Sequence, residues 1–159
     1  MRTHSTVKDD VFAYEVGEEV RLATRPFSIE RVQEYSIGLM SAASGERKPP
    51  QYNIHTDHDY ARTQGLEAAI ADGMHSTNWL STMMSDHFGP DYLVNGALRT
   101  KYIKPTFLDV PVTARGVITG KEKNDDGSVR YALEVWCEDD KGTKLTVGDA
   151  SVTVTSESR

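Results

Sequence analysis

The chain has 159 residues, and its 24 Asp and Glu against 18 Lys and Arg give a formal net charge of -6 and a pI of about 5.3. With 38% hydrophobic residues, 26% charged residues and a mean hydropathy of -0.51, it suits one folded domain and not a disordered chain. The acidic balance argues against a nucleic-acid binder, and no apolar run approaches the roughly 20 residues of a membrane span. The first ten residues are polar and lack an apolar signal core. Cys137 is the single cysteine, so no intrachain disulfide is expected and a reducing cytoplasm is the simplest compartment.

Residues 1–10 read as a flexible tail and 11–159 as the domain. Alternation over 19–25 predicts a first strand. Ser28 can cap a helix that carries Val32, Tyr35 and Leu39 near one face. Gly45, Pro49 and Pro50 make 44–52 a loop. Thr56 or Asp57 can cap a short helix holding Tyr60 and Ala61, with Gly65 ending it. Asp72-Gly73 opens a longer helix to about Phe88, with Trp79, Leu80, Met83, Met84 and Phe88 as its apolar stripe and Gly89-Pro90 as its stop.

The period then changes to two. Strands are expected over 96–103 and 112–120, then over 131–137 after the Asp125-Asp126-Gly127 turn. A last strand runs from Leu145 to Val154, with a bulge expected near Gly148-Asp149, where its alternation shifts. Helices followed by a run of strands indicate an α+β fold with an antiparallel sheet of about five strands.

His55 leaves the polar loop beside Asn53, and its neutral-range pKa suits a general acid or base, although a locally bonded loop histidine would read the same way. The Gly73 amide at a helix start can stabilise an oxyanion, or the glycine can serve a tight junction. Ser81 reads as a small packing residue and Asp72 as a helix cap. Cys137 reads as a core thiol. No metal-ligand spacing converges on His55 and His58.

The block Ser44-Gly45-Glu46, then Asn53-Ile54-His55-Thr56-Asp57 with Tyr60-Ala61, then Ile70-Ala71-Asp72-Gly73-Met74, resembles the MaoC-like hydratase/dehydratase family. Leu98 to Pro105 and Phe107-Leu108-Asp109 look like that family's next strand and turn. The resemblance implies a hot-dog domain, with the sheet wrapped round a central helix and the chain assembled as a homodimer or dimer of dimers. It implies a hydro-lyase that adds water to an enoyl thioester or removes it from a β-hydroxyacyl thioester. The thioester would be carried on CoA or an acyl carrier, with no separate cofactor and no metal.

By position, the resemblance makes His55 the catalytic histidine, the Gly73 amide the oxyanion donor and Ser81 an assisting serine. The family's aspartate falls at Pro50 here, and Glu46 matches it in motif order across a longer loop. Tyr52, Asn53, Asp72 and Met74 are the expected substrate contacts. Arg47, Lys48 and Arg99 are candidates for the CoA phosphates or a substrate carboxylate, or else solvated charges. A hot-dog thioesterase and a non-hydrating thioester-binding dimer are the alternatives.

Overall fold

A computed structural model describes residues 7–49 and 52–155. Residues 1–6, Pro50, Gln51 and 156–159 lie outside the described residues, and with them most of the expected tail and the position matched to the family's aspartate. Lys8, within the stretch read as a tail, bonds Glu18 at 2.6 Å and donates its backbone N–H to the Tyr14 hydroxyl at 3.1 Å.

A single turn of 3-10 helix, Val11–Ala13, precedes β1 (Glu19–Arg21), β2 (Arg25–Pro26), α1 (Ile29–Ser44), α2 (His58–Thr63), α3 (Gly73–Phe88) and α4 (Pro90–Asn95). Four strands follow: β3 (Gly96–Tyr102), β4 (Pro111–Lys123), β5 (Val129–Asp139) and β6 (Lys144–Val154). The sheet is antiparallel, in the order β1-β4-β5-β6-β3, with β2 also pairing β4. Helix α3 packs against five of these strands and buries Leu80, Met83, Met84 and Phe88. The architecture is the expected α+β one, with a sheet around one helix.

The helix starts follow their caps. Ser28, Asp57 and Asp72 each accept a backbone N–H of the first turn, from Arg31, Tyr60 and Met74. Gly45 closes α1 in the left-handed conformation, φ 73.

Four expectations are corrected. The first strand is two short ones: after Leu22 donates to Ala114 O the chain leaves the ladder, and it rejoins at Arg25. Leu39 does not face the core; it is exposed, and Val32 is the one buried residue of α1. Gly89-Pro90 ends α3 but also starts α4, because a proline at the first helical position gives up only an N–H that has no intrahelical partner. The last strand has no bulge at Gly148-Asp149. Cys137 pairs Thr146 and Glu138 pairs Lys144, so Leu145 is the extra residue. Gly148 keeps the inward alternation of Thr146, Ala150, Val152 and Val154 but adds no side chain to it. A Cβ there would stand 2.1 Å from Arg99 O, so only glycine lets β3 approach.

Candidate active site

Asn53 builds the turn that carries His55. Its side-chain oxygen accepts the His55 N–H at 2.8 Å and the Thr56 hydroxyl at 3.3 Å. Gln33 of α1 donates to Thr56 O at 2.9 Å, and Ile70 donates its N–H to Ile54 O at 3.0 Å. The turn is thus tied on one side to α1 and on the other to the segment entering α3.

His55 Nδ1 lies 2.9 Å from Ile70 O. A carbonyl only accepts, so Nδ1 carries the proton and the neutral ring keeps its lone pair on Nε2. Gly73 is the first residue of α3. Asp72 takes the Met74 N–H on its carboxylate and the His75 N–H on its carbonyl, each at 2.9 Å. Among the described residues the Gly73 N–H has no partner, and it stands at the positive end of the helix dipole.

His55 and Gly73 line one cleft of about 370 Å³ with Ser76, Tyr102, Lys104 and Thr146. Tyr102 reaches over the start of α3 from the end of β3, and its hydroxyl lies 2.8 Å from Thr77 Oγ1. The cleft therefore joins a basic ring nitrogen, an open helix-start N–H and a mainly apolar wall. That combination can hold a polarised carbonyl beside an activated water.

No family model and no curated protein matches the chain. Solved structures do. The (R)-hydratase from A. caviae involved in PHA biosynthesis superposes with a TM-score of 0.67 at 20% identity, covering 90% of this chain and 98% of that one. The MaoC-like dehydratase from Rhodospirillum rubrum gives 0.65 at 15% identity, over 89% of this chain and 92% of that one. The C-terminally truncated HadBC (3R-hydroxyacyl-ACP dehydratase) complex from Mycobacterium tuberculosis gives 0.61 at 16% identity, over 87% of this chain and 96% of that one.

The chain has the hot-dog fold of the MaoC-like dehydratases and (R)-hydratases.

Within this hot-dog domain the other expected site residues lie as follows. Glu46 bonds Lys48 at 3.2 Å with its side chain 79% exposed, and it lines a different cleft, with Arg47, at the end of α1. Ser81 is half-buried two turns along α3, where its carbonyl accepts the Ser85 hydroxyl at 2.9 Å, and it is not part of the His55 cleft lining. Tyr52 and Met74 are exposed; the Tyr102 hydroxyl points to Met74 Sδ at 3.8 Å. Asp72 serves as the cap of α3. Arg99 pairs Asp149 at 2.9 Å and lines a groove with Lys101, Trp136 and Lys144 on the sheet. The lining of the His55 cleft contains no carboxylate among the described residues.

The sequence reading missed Ser76, Tyr102 and Thr146 on the cleft and His75 behind it. His75 is 7% exposed, and its ring lies 4.6 Å from that of Tyr35 and 5.5 Å from that of Phe27. Burial lowers its pKa, His55 and Arg31 lower it further, and Asp72 opposes them. A polar pair following Gly73-Met74 on the buried side of a central helix was the available signal. No helix among the described residues is long and apolar enough to cross a membrane, and no group of metal-holding side chains occurs among them.

Proposed function

We propose that this hot-dog domain is a hydratase/dehydratase of acyl thioesters, with CoA as the handle and no separate cofactor. The observation that carries the reading is the shared cleft of His55, with its lone pair on Nε2, and the open Gly73 N–H. In hydration, the water oxygen bonds the β-carbon of the enoyl thioester while a water proton passes to His55 Nε2. The electron pair of the double bond moves onto the thioester carbonyl, whose oxygen the Gly73 N–H holds. The imidazolium then returns the proton to the α-carbon. One water has been added across the double bond, and the reverse sequence removes it.

The similar solved structures include an (R)-hydratase and dehydratases, which supports this reaction class. Lys104 on the cleft lining is a cation for the CoA handle. Among the described residues β3 ends the sheet with one edge unpaired, so two copies are expected to join along it as a homodimer.

The missing carboxylate on the cleft favours a second reading, a non-hydrating thioester binder. A thioesterase is a third, told apart by its product. The test is the loss of enoyl-thioester absorbance with crotonyl-CoA and longer enoyl-CoAs, wild type beside His55→Ala. Loss that disappears in His55→Ala supports the hydratase. Release of free CoA replaces it with hydrolysis. Binding of enoyl-CoA without turnover leaves the binding module.

A further inference from the structure

One wall of the His55 cleft carries two hydroxyls that bond to nothing. Ser76 of α3 and Thr146 of β6 both line the cleft, and each is only 1% exposed. Among the described residues neither side-chain oxygen makes a hydrogen bond, and neither is one of the fully enclosed unbonded atoms. The sliver of surface that each residue keeps therefore includes its hydroxyl, which opens into the cleft. A buried hydroxyl without a partner is costly, so two on one wall call for a polar group bound beside them.

The strand register sets both hydroxyls against the first turn of α3. Thr146 pairs directly with Tyr102 of β3 and with Cys137 of β5, so the three side chains leave the same face of the sheet. Tyr102 covers Gly73, and the Cys137 thiol reaches Ser76 O at 3.7 Å. Thr146 thus stands between the two side chains that touch α3 at Gly73 and at Ser76. Gly73 and Ser76 are three residues apart on one face of the helix, roughly 4.5 Å along its axis. The open Gly73 N–H marks one end of this wall and the two hydroxyls the other, with His55 on the same cleft.

Resting on the hydratase reading above, we propose that Ser76 and Thr146 hold the oxygen exchanged at the β-carbon, which is the water in hydration and the β-hydroxyl in dehydration. The thioester oxygen and the β-oxygen are borne two carbons apart on the substrate, so one helical turn can present a group to each. The cleft lining has no carboxylate among the described residues, and hydroxyls are the polar groups it offers in that place. A hydroxyl both donates and accepts. One of the pair donates to the water oxygen, and the other accepts the proton that the water keeps. The second water proton is left for His55 Nε2 as the water oxygen bonds the β-carbon, and neither side chain gives up its own proton.

The test is crotonyl-CoA turnover with kcat and KM separated, beside equilibrium binding of butyryl-CoA, which has the thioester carbonyl but no β-oxygen and cannot be hydrated. Thr146→Val keeps the shape and removes the hydroxyl. Thr146→Ser keeps the hydroxyl and removes a methyl, and Ser76→Ala removes the other hydroxyl. Thr146→Val and Ser76→Ala are each expected to lower kcat about tenfold or more, with KM and butyryl-CoA affinity within about twofold of wild type. Thr146→Ser is expected to keep kcat within about threefold of wild type. Urea midpoints of Thr146→Val and Ser76→Ala are expected to be no lower than that of wild type, because a hydroxyl without a partner adds nothing to the fold. Lower midpoints in both would overturn the inference by giving the hydroxyls a structural role. Loss of as much kcat in Thr146→Ser as in Thr146→Val would overturn it, and so would wild-type kcat in either hydroxyl-free variant; the hydratase reading would stand in each case. Butyryl-CoA affinity that falls in step with kcat would overturn it too, by moving the hydroxyls to the thioester carbonyl. Wild type that binds butyryl-CoA but does not turn over crotonyl-CoA would remove the hydratase reading and this inference with it.

Discussion

The ring of Tyr102 lies so close over Gly73 that a Cβ on the glycine would stand 2.5 Å from its Cε2. Gly73 has no left-handed backbone conformation to protect, so the ring is the main obstacle to a side chain there. Gly73→Ala is expected to push Tyr102 off Thr77, destabilise the fold by about 1–3 kcal/mol and reduce activity more than tenfold by disturbing the helix-start N–H. Gly73→Ala with Tyr102→Ala should recover most of the stability. Urea unfolding beside the enoyl-CoA assay checks both, and full stability in the single variant would show that the ring yields freely.

His55 should be found as the Nδ1–H tautomer when neutral, because Ile70 O can only accept. Nitrogen-detected NMR of histidine-labelled protein reads this directly. A protonated Nε2 would remove the base that the hydration mechanism requires.

Glu46→Ala should leave turnover within about twofold of wild type, since the carboxylate is paired with Lys48 at the far end of α1 and an exposed pair contributes little. His55→Ala should abolish turnover in the same assay. A loss with Glu46→Ala as large as that with His55→Ala would mean that the carboxylate reaches the reaction after all.

Stability should fall between about pH 7.5 and pH 5.5. Burial is the largest cause lowering the pKa of both His75 and His87 from 6.5. Around His87 stand the Tyr14 hydroxyl, which donates to Nδ1 at 2.7 Å, the Arg21 carbonyl, which accepts from Nε2 at 3.2 Å, and Asp86. Asp72, His55, Arg31 and Tyr35 surround His75. A base whose folded pKa is depressed adds full stability above its unfolded pKa. Below that, the unfolded chain binds more protons and stability is lost as pH drops toward the folded pKa. The loss is at most about 1.4 kcal/mol per histidine per pH unit. Urea midpoints across this range measure it, and His87→Phe should flatten part of the slope. Unchanged midpoints would show that neither ring stays neutral.

Cys137 should resist alkylation in the folded protein. Burial pushes its thiol up to about 12, and its Sγ contacts Ser76 O at 3.7 Å. Iodoacetamide at mildly alkaline pH is expected to label it only after urea unfolding. Rapid labelling of native protein would show that β5 opens.

Much of the fold was legible because its signals act over a few residues. Ser28, Asp57 and Asp72 cap the helices they precede. The Asp125-Asp126-Gly127 turn joins β4 to β5, with Gly127 at φ 83. Asn53 bonds the His55 N–H, so the turn that presents the histidine is written in adjacent residues. The β6 bulge was misplaced because Gly148 faces inward without a side chain, and the gap looked like a shift of register.

By itself the sequence determined the α+β order, the start of α3 at Asp72-Gly73 and the likeness that links His55 to Gly73. Only the tertiary structure decided what faces what. It set Glu46 beside Lys48 in another cleft, carried Tyr102 from β3 over Gly73, and packed His75 and Trp79 of α3 against Phe27. Caps, turns and periodicity depend on near neighbours and are printed in the chain. A cleft is made by elements far apart in sequence, and the packing of α1 and β3 around α3 chooses its lining.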